Sequence, residues 1–214
     1  MKLKLYHYWR SSSSWRVRWA LAHKGIEVEY IAVSLLNGES ESPEHLARNP
    51  LGYVPVLEVL ETGKKPARLF ESIAILEWLE ETYTERPLLP KDTWSRALVR
   101  QLVEIINAET QPLQNLPPQE LHSQDPAEKK RWAQHWIRLG LQTYETIVRE
   151  TAGVFSVGNS LTFADLCLVP QVYNAKRYDI DLSAYPTLLR ICTEAEKTLS
   201  WKQSEPEKFK PEGA

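Results

Sequence analysis

Only two cysteines, Cys167 and Cys192, occur in the 214 residues. Both lie in helical apolar patterns, which suits buried reduced thiols and excludes a disulfide framework. The five histidines are scattered, and no Cys/His group has the spacing of metal ligands, so no metal site is expected. Charge of one sign is also missing. The 26 Lys and Arg against 28 Asp and Glu leave a net charge of −2, which makes neither a nucleic-acid surface nor an acidic tail. Nor is there a long apolar run: Lys2 and Lys4 are followed by alternation and then by serines, without the uninterrupted stretch of a signal peptide or membrane span. The expectation is a cytoplasmic protein with neither nucleic-acid nor membrane partners.

What is present is an ordinary globular composition, 43% hydrophobic and 25% charged, with room for one large or two small domains. Its most distinctive stretch is Trp9-Arg10-Ser11-Ser12-Ser13-Ser14-Trp15-Arg16-Val17-Arg18. Before it, Leu3, Leu5 and His7 alternate with Lys4, Tyr6 and Tyr8 at the period of a strand. After it, Trp15, Trp19 and Ala22 fall on a helical stripe that Gly25 ends. The serines therefore stand at a helix N-terminus, where free N–H groups and the positive end of the dipole suit an anion. A plainer reading has one serine as an N-cap, with Ser14 the best placed, and the others as loop.

The first third alternates strand and helix. Val28 to Ser34 reads as a mostly apolar strand broken at Asn37-Gly38, and Ser42-Pro43 opens a short helix that stops before Asn49-Pro50. Val54-Pro55 leads into the strand Val56 to Leu60, which Thr62-Gly63-Lys64-Lys65 turns back into Ala67 to Phe70. Glu71-Ser72 then starts an amphipathic helix carrying Ile73, Leu76, Trp78 and Leu79. The order β-α-β-α-β-β-α suits a mixed four-stranded sheet covered by helices.

From Glu85 the pattern changes. The segment Glu85-Arg86-Pro87-Leu88-Leu89-Pro90 has no periodicity and reads as a linker, and beyond it every apolar stripe has helical spacing. Trp94, Leu98, Leu102, Ile105 and Ile106 form one stripe; Trp132, Trp136, Leu139, Tyr144, Ile147 and Val148 form another, with Pro117-Pro118 and Asp125-Pro126 between them. The expected organisation is an α/β domain over residues 1–84, a linker over 85–91 and an all-helical domain over 92–214. Leu161-Thr162-Phe163-Ala164-Asp165-Leu166 has the form of a capping box with a hydrophobic staple, which accounts for Asp165 as a folding element.

Together these motifs resemble the cytosolic glutathione transferases, and within them the zeta class, the maleylacetoacetate isomerases. The resemblance rests on Arg10 to Arg18, on Val54-Pro55 and Glu71-Ser72, on Gln111-Pro112-Leu113-Gln114-Asn115-Leu116 and on Ala164 to Val172. It covers almost the whole chain in the right order. It implies a thioredoxin-like glutathione-binding domain followed by an all-α substrate-binding domain. One position departs from the class: Ser13 stands where a cysteine is usual.

Residue by residue, the resemblance implies that Ser11 donates to the sulfur of the cofactor glutathione, with Ser12 supporting it. Val54 would pair with the cysteinyl backbone of the tripeptide, as an added strand pairs, beside a cis Pro55. Glu71 and Ser72 would hold the γ-glutamyl end, and Gln111 and Asn115 would extend that edge. Arg10 and Arg177 would bind a dicarboxylate substrate, with Arg10 counted among the catalytic residues beside Ser11 and Ser12.

The implied activity is cis–trans isomerisation of maleylacetoacetate or maleylpyruvate by thiolate addition, bond rotation and elimination, in aromatic amino acid catabolism such as that of tyrosine. A homodimer is implied as well. Related reductive dehalogenases use the motif cysteine for a mixed disulfide, which Ser13 cannot form. Two alternatives remain open at this point: a general transferase conjugating or dehalogenating small electrophiles such as α-haloacids, and a non-catalytic glutathione-binding subunit.

Overall fold

The computed structural model describes residues 1–211. The chain divides into two compact units, one of Met1–Pro87 together with the segment from Leu199 onward, the other Leu88–Thr198. The first unit runs β1 (Lys2–His7), α1 (Ser12–Lys24), β2 (Glu29–Ala32), α2 (Pro43–Leu46), β3 (Val56–Leu60), β4 (Ala67–Phe70) and α3 (Ser72–Thr82). Its sheet has the order β2-β1-β3-β4. β1 pairs in parallel with β2, Leu5 beside Tyr30, and antiparallel with β3, Leu5 beside Leu57. β4 closes the other edge antiparallel, Leu57 beside Leu69. The two central strands bury residues on both faces, Leu5 with Tyr6 and Val56 with Leu57, while the edge strands carry most of the exposed positions. That distribution follows from helices covering both faces of the sheet. The expected thioredoxin-like mixed sheet is what forms. The β2 segment is shorter and more exposed than its apolar content suggests, because an edge strand has a neighbour on one side only.

The expected extent of the second unit, 92–214, differs at its end. Helix α9 (Leu199–Ser204) packs against α1 in the first unit. The reason lies in α1: Trp15 and Trp19 are buried, and their indole N–H groups need acceptors. Ser204 Oγ accepts from Trp15 Nε1 at 3.3 Å and Ser200 Oγ from Trp19 Nε1 at 3.0 Å. At the far end of α1, Gly25 takes the left-handed conformation at φ 69°, and its N–H closes on Ala22 O.

The second unit is helical: α4 (Thr93–Asn107), α5 (Leu116–His122), α6 (Pro126–Thr151), α7 (Phe163–Arg177) and α8 (Pro186–Glu196). Pro117 and Pro118 are a correction to the sequence reading, since they stand in the first turn of α5, where a missing N–H costs nothing. Helix α7 is the central rod, buried from Phe163 through Val172. Its start is tied by Asp165, whose carboxylate accepts from Thr162 N (2.8 Å), Thr162 Oγ1 (2.9 Å) and Ser156 N (2.8 Å). The expected capping box between Thr162 and Asp165 is therefore formed, and burial raises the pKa of this carboxyl. Gly140 lets α6 approach closely, because a Cβ there would fall 2.0 Å from Thr110 Oγ1.

Candidate active site

The serine run is helix rather than loop. Helix α1 begins at Ser12, and its N-cap is Ser11, in extended backbone, whose Oγ accepts from Ser14 N at 3.2 Å. This corrects the assignment of Ser14 as cap. Ser14 is fully buried, and its own Oγ accepts from Tyr8 N at 3.5 Å. Ser12 and Ser13 occupy the first two helical positions, whose N–H groups have no intrahelical acceptor. The cap thus uses a lone pair of the Ser11 hydroxyl and leaves its proton to donate. With the helix dipole behind it, Ser11 meets the requirements for stabilising a thiolate. Capping and anion binding, set against each other in the sequence, are thus compatible in one side chain, which caps α1 and keeps a donor free.

The second anchor is the loop before β3. The Val54–Pro55 bond is cis, as expected, and both residues are buried. Val54 precedes Val56, the first residue of β3 paired with β1 and β4. Tyr53 O accepts from Asn49 Nδ2 at 3.0 Å and lies 3.0 Å from His45 Nε2. A carbonyl only accepts, so His45 holds its proton on Nε2. Gly52, at φ 68°, completes the loop; a Cβ there would sit 3.0 Å from Ser40 O.

The third anchor is the start of α3. Glu71 is its N-cap, at φ 70° and ψ 109°, a conformation that costs a non-glycine residue ~1–3 kcal/mol and clusters at ligand sites. Ser72 is buried, and its Oγ accepts from Arg16 Nη1 at 3.1 Å. Arg16 is itself 1% exposed. Ser11, Ser12 and Ser72 therefore belong to two helix starts bridged by one buried guanidinium. Arg10, half-buried, lays its guanidinium over the Trp9 ring at 5.3 Å, and Lys210 approaches the same ring at 5.6 Å.

In the second unit, Gln111 and Asn115 lie on the turn between α4 and α5. Asn115 caps α5, its Oδ1 accepting from Leu116 N at 2.9 Å. The turn is held to α7 by a buried amide pair. Gln114 Nε2 donates to Gln171 Oε1 (3.2 Å) and Gln171 Nε2 to Gln114 Oε1 (2.6 Å). Gln119 Nε2 adds Gln114 O (2.6 Å) and Tyr178 OH (2.9 Å). Arg177 is exposed in the last turn of α7, with Nη1 3.4 Å from Asn174 Oδ1. The turn carrying Gln111 and Asn115 is thus tied to α7, the helix that ends with Arg177.

The residues that sequence reasoning left without a role are Arg16, Arg18 and His7. The available signal was two arginines interleaved with Trp15, Val17 and Trp19, a pattern without a separate polar face. Burial and Arg18 lower the His7 pKa to about 3, and burial lowers that of Arg18 to about 9.

Residues 1–81 match the glutathione S-transferase N-terminal domain family. A maleylacetoacetate isomerase of Dictyostelium discoideum is 45% identical over 89% of this chain and 87% of its own. The chain belongs to the zeta-class glutathione transferases. The crystal structure of maleylacetoacetate isomerase from Anaeromyxobacter dehalogenans 2CP-1, with GSH bound in its active site, is 47% identical. It superposes with a TM-score of 0.91 over 100% of this chain and 98% of its own. A maleyl pyruvate isomerase described as a bacterial zeta-class enzyme is 35% identical, with a TM-score of 0.90 over 99% of this chain and 100% of its own. Among the described residues of this zeta-class chain, no group of His, Cys, Asp and Glu is placed to hold a metal, and no helix is long and apolar enough to cross a membrane.

Proposed function

We propose that the chain is a glutathione-dependent cis–trans isomerase acting on maleylacetoacetate, with maleylpyruvate as the nearer alternative substrate. Its residues fit the tripeptide. A hydroxyl at one helix start suits the sulfur, a buried serine at a second suits a carboxylate, and the exposed Glu71 suits an ammonium. When bound, glutathione supplies the thiolate that adds to the conjugated cis double bond and leaves after rotation about the resulting single bond.

The observation that carries the reading is the Ser11 cap. Ser11 Oγ takes Ser14 N and keeps its own proton for the sulfur, so the same geometry that starts α1 lowers the thiol pKa from its ordinary ~8.5. Ser12 and the N–H groups beside it add to the positive field. Arg10, beside Ser11 in the chain, and Arg177 bind the two carboxylates of the substrate, where a planar guanidinium is the best partner. Val54 pairs its backbone with the tripeptide, Ser72 and Glu71 hold its γ-glutamyl end, and Gln111 and Asn115 extend the polar edge.

The Dictyostelium and Anaeromyxobacter maleylacetoacetate isomerases, at 45% and 47% identity, are more similar to the chain than the maleyl pyruvate isomerase at 35%, which supports the order of substrates. The fuller reading is a cytoplasmic homodimer working in the catabolism of tyrosine or related aromatic compounds. The test is a spectrophotometric isomerase assay with both maleyl keto acids, with and without glutathione. Turnover that requires glutathione is expected. Conjugation of small electrophiles without isomerisation would favour a general transferase, and retention on immobilised glutathione with no turnover would favour a binding subunit.

A further inference from the structure

Arg18 is fully buried in α1, and its guanidinium is spent on backbone carbonyls. Nη2 donates to Trp9 O at 2.9 Å, Nη1 to Tyr8 O at 3.2 Å, and Nε to Ser204 O at 3.2 Å. Nη1 also meets His7 Nδ1 at 3.2 Å. Since Arg18 only donates, His7 accepts at Nδ1 and carries its proton on Nε2. The carbonyl of Tyr8 has a second donor, Ser11 N, at 3.1 Å. One oxygen is therefore shared between Arg18 and the N-cap of α1. The planar fork of a guanidinium, with its five N–H donors, can hold several carbonyls of a tight turn at once.

The rest of the socket comes from the C-terminal segment. Besides Ser204 O, the ring of Phe209 lies 4.7 Å from the Arg18 guanidinium carbon. Phe209 packs edge-on against His7 (5.3 Å) and Tyr30 (4.8 Å), and His7 packs on Tyr30 (5.5 Å). The Phe209 ring, braced by His7 and Tyr30, and the carbonyls favour the charged form by cation–π attraction and hydrogen bonding against the cost of burial. The stretch from Leu199 to Phe209 is thereby attached to the turn that carries Ser11.

We propose that Arg18 is a positioning residue of the thiolate site, holding the Tyr8–Ser11 turn against the start of α1, with Ser204 and Phe209 of the C-terminal segment completing its socket. The proposal rests on Ser11 as the contact of the glutathione sulfur. A shift of about 1 Å in a group that must meet a reacting atom costs on the order of a hundredfold in rate, so the effect belongs to kcat rather than to binding of the tripeptide.

The test uses the full chain as Arg18→Lys, Arg18→Met and Phe209→Ala, with far-ultraviolet spectra and thermal midpoints as folding controls. Two site readouts are followed, the ultraviolet absorbance of glutathione thiolate on the protein and the split between kcat and KM. Arg18→Lys keeps charge without the fork and is expected to lose about ten- to a hundredfold in kcat with a smaller thiolate signal, while KM for glutathione moves little. Phe209→Ala, at a half-buried ring, is expected to change both in the same direction by about two- to tenfold. Where Arg18→Met does not fold, Phe209→Ala decides. Folded variants with wild-type kcat and thiolate signal overturn the role of Arg18 alone. A wild-type protein that forms no glutathione thiolate overturns this proposal and the proposed function together.

Discussion

Arg16 Nη1 donates to Ser72 Oγ across 3.1 Å, joining α1 to the first turn of α3 through a buried charge. The bond occupies a lone pair of the hydroxyl and leaves its proton to donate, so Ser72 is biased toward an anion. Arg16→Met is expected to raise KM for glutathione about tenfold or more, the range of a charge-assisted hydrogen bond worth ~1.5–3 kcal/mol. Ser72→Ala should do the same, while taking one acceptor from the buried Arg16 guanidinium. Steady-state kinetics with varied glutathione check both; an unchanged KM in Ser72→Ala would remove Ser72 from the binding set.

Ser13 sits at the second helical position of α1, half-buried. Ser13→Cys is expected to keep isomerase activity and to gain reactivity with oxidised glutathione. A thiol at a helix N-terminus ionises readily, attacks one sulfur of the disulfide and releases the other half as glutathione thiolate. Intact-mass spectrometry would show one glutathionyl adduct. The parent chain should show none, because Cys167 and Cys192 are buried and burial pushes the Cys192 thiol up to about 12.

Stability should depend on pH through His7. Its folded pKa of about 3 lies below the ordinary 6.5, so the folded state excludes a proton that the unfolded chain binds. The stabilisation is present above about pH 6.5 and is lost as pH falls toward 3, by at most ~1.4 kcal/mol per pH unit for one proton. His23, with its pKa also lowered, chiefly by burial, adds in the same direction. Urea titrations between pH 7 and 5, above most carboxylate titration, are expected to show a shallower slope in His7→Gln.

The Gln114–Gln171 pair predicts a loss of both stability and binding. Gln171→Leu leaves a buried amide short of its partner, at a cost of ~1–3 kcal/mol in unfolding free energy. Because the pair holds the turn bearing Gln111 and Asn115, KM for glutathione should rise in the same variant.

Much of this was legible in the chain. The strand period of β1, the stop at Gly25, Val54-Pro55 and Glu71-Ser72 each have a local cause, and each stands in the structure where local chemistry put it. The exact start of α1 did not, because four consecutive serines offer several equivalent cap registers and only the burial of Ser14 chooses among them. The placement of α9 was hidden for another reason. Its six residues carry a short stripe, and what fixes them is the need of two distant indole N–H groups for Ser200 and Ser204. Arg16 and Arg18 were visible as charges in an apolar helix, yet their partners, a serine hydroxyl and a set of carbonyls, are tertiary.

The most direct measurement is the thiolate absorbance and kcat of Ser11→Ala beside Ser13→Ala. Removing the hydroxyl that caps α1, the proposed donor to the sulfur, is expected to abolish the thiolate signal at neutral pH and to lower kcat about a hundredfold. Ser13→Ala should stay near the parent in both. Equal losses in the two variants, or a Ser11→Ala protein with full thiolate signal and turnover, would contradict the assignment of Ser11.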